Sequence, residues 1–344
     1  MPAQPPLTAV LAGCGGISRA WLNAIRDMPD LQMVGFVDLI EDAARGRAAE
    51  YGWTDAVTGT ALGPVLAATQ PDIVFDCTIP EAHVSVTTEA LAAGCHVLGE
   101  KPLADSMAHA RTMVAAAQAS GKLYAVMQNR RYDPNIRRLR AFLHSGALGQ
   151  VTTIHCDFFI GAHFGGFRDR MEHVLLLDMA IHTFDASRFI SQADPLAVYA
   201  HEWNPAGSWY DHDASAVALF EMSDGLVYTY RGSWCAEGLN TTWEADWRII
   251  GTEGSVRWDG ATGFQAETVR ARGGFRSDLQ QVELPAFDTA DKTGGHAGCI
   301  RDFVRCVRTG ETPETVCTDN IQSLAMVFGA IESADTGQRV TVTG

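Results

Sequence analysis

Asp178 and His182 stand four residues apart in the run Leu175-Leu176-Leu177-Asp178-Met179-Ala180-Ile181-His182. On a helix that spacing puts a carboxylate and an imidazole on one face. Imidazole, with an intrinsic pKa near ~6.5, moves protons at neutral pH. A cation suited to the same chemistry follows the apolar run His96 to Gly99: Lys101, in Glu100-Lys101-Pro102. An ammonium at a strand end stabilises negative charge developing on a substrate oxygen. A third group binds rather than reacts. Gly13-Cys14-Gly15-Gly16-Ile17-Ser18 lies between an apolar strand and a helix, where glycines permit a tight turn and let backbone N–H groups approach a pyrophosphate at the helix N-terminus. Ser18 replaces the usual third Gly. Asp38 ends the next apolar run, where an acid accepts hydrogen bonds from ribose hydroxyls and repels the extra phosphate of NADP, and Leu39 and Ile40 beside it offer no cation. Together these signals indicate a dinucleotide, NAD in preference to NADP.

The elements that must position these residues follow from the hydrophobic pattern. Up to Gln128, short apolar runs alternate with Ala-rich amphipathic stretches, the pattern of strand-helix-strand units on a parallel sheet. Strands are expected at Leu7 to Ala12, Leu31 to Asp38, Asp72 to Cys77, His96 to Gly99 and Lys122 to Gln128. Beyond Tyr132-Asp133-Pro134 the pattern changes to strand-like alternation, in Val151 to Phe159, Leu196 to Trp203, Ala214 to Glu221, Leu226 to Ser233, Trp243 to Gly251 and Ser255 to Trp258. One helix, about Glu172 to Ser191, interrupts it, and two more, about His296 to Thr309 and Thr318 to Ala334, follow. The fold class is therefore α/β: a Rossmann dinucleotide-binding domain over 1–127, and over 128–344 an α+β domain with a large, open, mostly antiparallel sheet.

Length and composition agree with two domains. The 344 residues exceed what one core usually organises, and 47% hydrophobic with 19% charged residues excludes disordered, collagen-like and coiled-coil classes. Lys plus Arg number 26 against 41 Asp plus Glu, a net charge of −15 that repels phosphate backbones and anionic lipid, so neither nucleic acid nor membrane is an expected partner. The eight cysteines are scattered without a Cys-x-x-Cys pair, and no secretory leader pattern is present; both point to a reducing, cytoplasmic setting. His155, Cys156, Asp157 and His163 are close in sequence, but on a strand Cys156 points away from its neighbours, so no metal site is expected.

In this order and spacing, Gly13-Cys14-Gly15-Gly16-Ile17, Asp38, the Thr78 to His83 segment, Glu100-Lys101-Pro102 and Asp178-x-x-x-His182 make the chain resemble the glucose-fructose oxidoreductase, inositol dehydrogenase and MocA family over nearly its whole length. The resemblance implies NAD bound by Gly13, Gly15, Gly16, Ile17, Asp38, Thr78, Pro80, His83, Glu100 and Lys101. It implies a small polyhydroxylated substrate, and a homo-oligomer, dimer or tetramer, formed through the open sheet. It makes His182 the base for a carbinol proton, Lys101 the cation on the same oxygen, and Asp178 a residue that binds a neighbouring hydroxyl or orients its partners. Arg130 and Arg131, after the last Rossmann strand, match a substrate-contacting segment, although a salt bridge accounts for them equally well. In the loop His163-Phe164-Gly165-Gly166-Phe167-Arg168, both His163 and Arg168 are candidate substrate contacts. The Trp residues of the second half either stack on a sugar or fill the sheet core and a subunit interface.

Three functions fit these residues: an NAD-dependent dehydrogenase of a sugar, cyclitol or sugar acid; an NAD-dependent glycosidase working by transient oxidation and elimination; and a catalytically silent NAD-binding sensor. The intact set Lys101, Asp178 and His182 favours the first.

Overall fold

A computed structural model describes residues 5–286 and 292–344. They form two compact units: the described residues up to Tyr132 with Lys292–Ile321, and those from Asp133 to residue 286 with Gln322–Gly344.

The first unit is a parallel sheet wrapped by helices. Its elements are β1 (Leu7–Ala12), α1 (Ser18–Ile25), β2 (Leu31–Val37), α2 (Glu41–Glu50), β3 (Val57–Gly59), α3 (Leu62–Thr69), β4 (Ile73–Asp76), α4 (Pro80–Ala92), β5 (His96–Gly99), α5 (Met107–Ser120) and β6 (Tyr124–Val126). The strands lie in the order β3-β2-β1-β4-β5-β6, all parallel. β4 is buried along its whole length, as a strand covered on both faces must be. The strand order reverses between β1 and β4, the position at which open α/β sheets bind ligands beyond their strand ends.

The second unit begins with α6 (Pro134–His144), started by Pro134 and capped by Asp133, whose carboxylate accepts from the Asn135 and Ile136 N–H groups. It continues with β7 (Val151–Phe159), α7 (Ile181–Ser191), β8 (Pro195–Trp203), β9 (Ser215–Met222), β10 (Val227–Ser233), β11 (Asp246–Gly251), β12 (Gly254–Trp258), β13 (Phe264–Ala271) and β14 (Asp278–Val282). After α8 (Gly295–Thr309) and α9 (Cys317–Thr336), β15 (Val340–Thr341) closes the chain. The nine strands run β14-β13-β12-β11-β7-β10-β9-β8-β15, antiparallel except where β10 pairs with β7. Alternate residues of β8 and β9 are buried, which leaves Tyr199, Trp203, Val217 and Leu219 on the open face.

Four features differ from the sequence pattern. β3, only three residues long, adds an unexpected edge strand to the parallel sheet. Lys292–Ile321 joins the first unit although it follows the second in sequence, because α8 buries Cys299, Ile300, Phe303 and Val304 in the Rossmann core. β13 and β14 extend the sheet through segments too polar to read as strands; they form its edge, where solvent replaces a second packing layer. The helix expected from Glu172 starts later, and its first turn, Leu175–Ala180, is a π turn closed i→i+5 that accommodates one extra residue.

Candidate active site

Gly13 holds the phosphate loop against the neighbouring strand. Its φ of 88° belongs to the left-handed region, and a Cβ there would lie 2.5 Å from the Cys77 carbonyl oxygen. Gly15 and Gly16 are the opposite case: a Cβ at either would meet nothing within 4 Å. Their surface is therefore an open backbone cradle. It leads into α1, whose N-cap, Ile17, has no side chain to accept hydrogen bonds from the first turn. An anion fits that place. Cys14 is buried beneath, and burial, aided by Asp38, pushes its thiol up to about 12, so it stays neutral.

Asp38 stands beside the loop. Its carboxylate accepts from the Cys14 N–H at 2.8 Å and the Ile40 N–H at 2.9 Å, which fixes its two oxygens. Leu39 and Ile40 beside it are exposed and apolar. These residues fit NAD: open backbone for the pyrophosphate, an oriented acid for the ribose, and no cation on Leu39 or Ile40 for an additional phosphate.

Thr78, Pro80 and His83 surround the end of β4. Asp76 is fully buried and bonds Thr78 Oγ1 at 2.5 Å, while its other oxygen lies 2.9 Å from His83 Nδ1. Burial is the largest influence on His83 and pulls its pKa down, but the charge and hydrogen bond of Asp76, with Glu100 and Glu81, outweigh it and leave the pKa raised above 6.5. A raised folded pKa stabilises the fold fully below the unfolded value of about 6.5, and that contribution is lost as pH climbs through the folded value. The thermal midpoint of the wild type is expected to fall over that rise, and the fall to flatten in His83→Gln. Melting curves of both proteins taken across the interval check this, and parallel curves would rule it out.

Glu100 and Lys101 end β5. Glu100 is buried, accepts from the Trp21 indole N–H at 2.6 Å and from the Lys101 backbone N–H at 3.0 Å, and thereby braces the backbone that carries the lysine. Arg131 is taken up structurally: it donates to the Glu314 carbonyl oxygen at 2.7 Å and pairs with Asp319 at 2.7 Å, both within the first unit. Of the two expected origins for the Arg130-Arg131 pair, Arg131 thus shows the salt bridge. Arg130 is buried beside it.

The remaining predicted residues belong to the second unit. Asp178 lies in the π turn and His182, half-buried, in the α-helix that continues it; π turns of this kind are often found at functional sites. Arg168 reaches Asp178 with Nε at 2.8 Å and Nη2 at 3.4 Å, and its guanidinium packs over Phe164 and Phe167 at 4.9 and 4.8 Å from the ring centroids. Asp178 is therefore oriented by Arg168, a partner its sequence position does not reveal. His163 stacks on Trp209 with centroids 3.7 Å apart and bonds Glu237 at 2.9 Å. His173, left-handed at φ 50°, lies 2.6 Å from the buried Glu202 and fixes the entry to the π turn on β8. Of the Trp residues, Trp234, Trp247 and Trp258 are core, whereas Trp203 and Trp243 are exposed.

Sequence reasoning passes over Arg47. It is buried, donates Nη2 to the Cys14 carbonyl oxygen at 2.8 Å and the Gly15 carbonyl oxygen at 3.1 Å, and donates Nη1 to Glu50 at 2.8 Å.

A Rossmann sheet of order 3-2-1-4-5-6 with an open glycine cradle and an oriented carboxylate at Asp38, followed by an α+β unit built on a nine-stranded sheet, defines a two-domain NAD-binding oxidoreductase. The chain belongs to the Gfo/Idh/MocA family: residues 7–128 match the oxidoreductase family model with an NAD-binding Rossmann fold, and residues 136–257 match the GFO/IDH/MocA C-terminal domain. An uncharacterized protein of Sinorhizobium fredii is 30% identical, the alignment covering 96% of this chain and 94% of that one. A D-apiose dehydrogenase of Paraburkholderia graminis is 27% identical, over 96% of this chain and 88% of its own. An oxidoreductase from Agrobacterium radiobacter, solved in complex with NAD+, L-tartaric acid and magnesium, superimposes with a TM-score of 0.84 at 22% identity over 98% of each chain, a likeness of fold. Among the described residues no helix is long and apolar enough to cross a membrane.

Proposed function

We propose that the protein is an NAD-dependent dehydrogenase that oxidises a secondary hydroxyl of a sugar, cyclitol or sugar acid. The observation that carries this reading is Lys101, presented at the end of β5 on a backbone braced by buried Glu100, in the same unit as the NAD cradle. The names of relatives support the substrate class, among them D-apiose dehydrogenase and the inositol 2-dehydrogenase of Rhizobium meliloti.

NAD supplies the hydride acceptor when bound. The chain's own residues handle the proton and the charge. His182 takes the proton of the hydroxyl as general base. Lys101 donates a hydrogen bond to the same oxygen and stabilises the negative charge that develops on it. Asp178, oriented by Arg168, binds an adjacent hydroxyl, and His163 and Arg168 contribute further contacts to a polyhydroxylated ring. The exposed row Tyr199, Trp203, Val217 and Leu219 supports a homo-oligomer paired through the open sheet.

The test is absorbance at the NADH band with purified protein, NAD or NADP, and a panel of inositols, aldoses, sugar acids and glycosides, with glycoside cleavage followed in the same wells. Sustained NADH formation with one substrate subset, and with NAD over NADP, is the expected result. Cleavage without net NADH would replace the proposal by an elimination mechanism, and tight NAD binding with silence across the panel would replace it by a sensor.

A further inference from the structure

Arg47 is nine-tenths buried, and its counter-charge is thin. Its one carboxylate partner among the described residues, Glu50, is itself 40% exposed and shared with Arg19. The rest of its hydrogen bonding goes to two carbonyl oxygens of the phosphate loop, those of Cys14 and Gly15. A buried cation held by one shared, half-exposed carboxylate is incompletely compensated.

The two carbonyls have a geometric consequence. In a planar trans peptide the C=O of one residue points opposite to the N–H of the next. Drawing the Cys14 and Gly15 oxygens toward Arg47 therefore turns the Gly15 and Gly16 N–H groups away from it; a Cβ on either glycine would meet nothing within 4 Å, so the loop is uncrowded at both positions. Ser18 Oγ donates to the same Gly15 oxygen at 2.6 Å and strengthens the bias. The guanidinium also polarises both peptides, making their N–H groups better donors.

We propose that Arg47 is a positioning residue for the dinucleotide phosphates: from beneath the loop it orients the Gly15 and Gly16 N–H groups toward the pyrophosphate, whose charge in turn completes its own compensation. The inference rests on the NAD-binding reading of this unit and adds a determinant from α2, outside the glycine motif.

The test uses the full-length protein without substrate. Binding of ADP-ribose, which carries the pyrophosphate, and of adenosine, which does not, is measured by calorimetry for the wild type, Arg47→Lys and Arg47→Met, with a melting curve of each. ADP-ribose affinity is expected to fall about 10- to 100-fold in Arg47→Met, and by less in Arg47→Lys, which keeps the charge but loses the two-pronged contact. Adenosine affinity is expected to change less than twofold. Unchanged ADP-ribose affinity in Arg47→Met, or equal losses for both ligands, would overturn the proposal. If Arg47→Met does not fold, Arg47→Lys decides by the same comparison. Failure of the wild type to bind ADP-ribose would instead overturn the cofactor reading.

Discussion

Replacing Lys101 with Met is expected to reduce kcat about 10²- to 10³-fold while leaving the Kd for NAD within a factor of about two. The substitution keeps the length and apolar stem of the side chain and removes only the ammonium. Glu100 braces the segment through the Lys101 backbone N–H, a bond that the substitution keeps. What is lost is the donor for an oxygen that becomes negative as its proton passes to the base, before the departing hydride turns it into a carbonyl, and losing that interaction lowers kcat and kcat/KM together. Steady-state kinetics alongside calorimetric NAD titration separate the two effects. Wild-type turnover in the variant would reject the catalytic role of Lys101, and a parallel loss of NAD affinity would leave it only the cofactor contact that the resemblance also implies.

The second expected effect is on the pH profile. His182→Gln keeps hydrogen-bonding capacity at the position but cannot take a proton, and kcat is expected to fall about 10²- to 10⁴-fold near neutrality. Because water or hydroxide must then remove the carbinol proton, the residual rate is expected to rise steadily with pH, without the levelling off that follows deprotonation of an imidazole base. A pH profile of kcat/KM for both proteins decides the point. If the variant keeps the wild-type profile, another group is the base.

The first unit was legible in sequence because its signals are local. An apolar strand, a glycine turn and a helix within Leu7–Ile25, followed by Asp38 at the end of the next strand, report a backbone geometry that few other arrangements require. Arg47 was not legible. The helix Glu41–Glu50 is polar and rich in charge, so an arginine in it looks solvated, and only the packing of that helix against the loop shows its side chain buried. The same limit applies to Arg168, whose bond to Asp178 joins residues ten apart through a loop of glycines and aromatics without a periodic signature. It applies as well to Arg131, whose partners Glu314 and Asp319 lie nearly two hundred residues away. β13 and β14 were missed for a different reason: their segments are rich in Gln, Glu, Arg and Asp, and here the pairing of β13 with β12 and of β14 with β13 overrides that composition.

The return of Lys292–Ile321 to the first unit bears on how the chain is made. A ribosome releases the six strands of the Rossmann sheet early, yet Cys299, Ile300, Phe303 and Val304, which complete its core, emerge more than 150 residues after β6. The nascent sheet must therefore wait, with part of its apolar surface bare, while the whole nine-stranded unit except its last strand is being synthesised. N-terminal fragments that stop before α8 will present this surface to chaperones or to one another. The core that underlies the glycine loop, which includes Cys14 and Cys77, is thus completed near the end of translation rather than at its beginning.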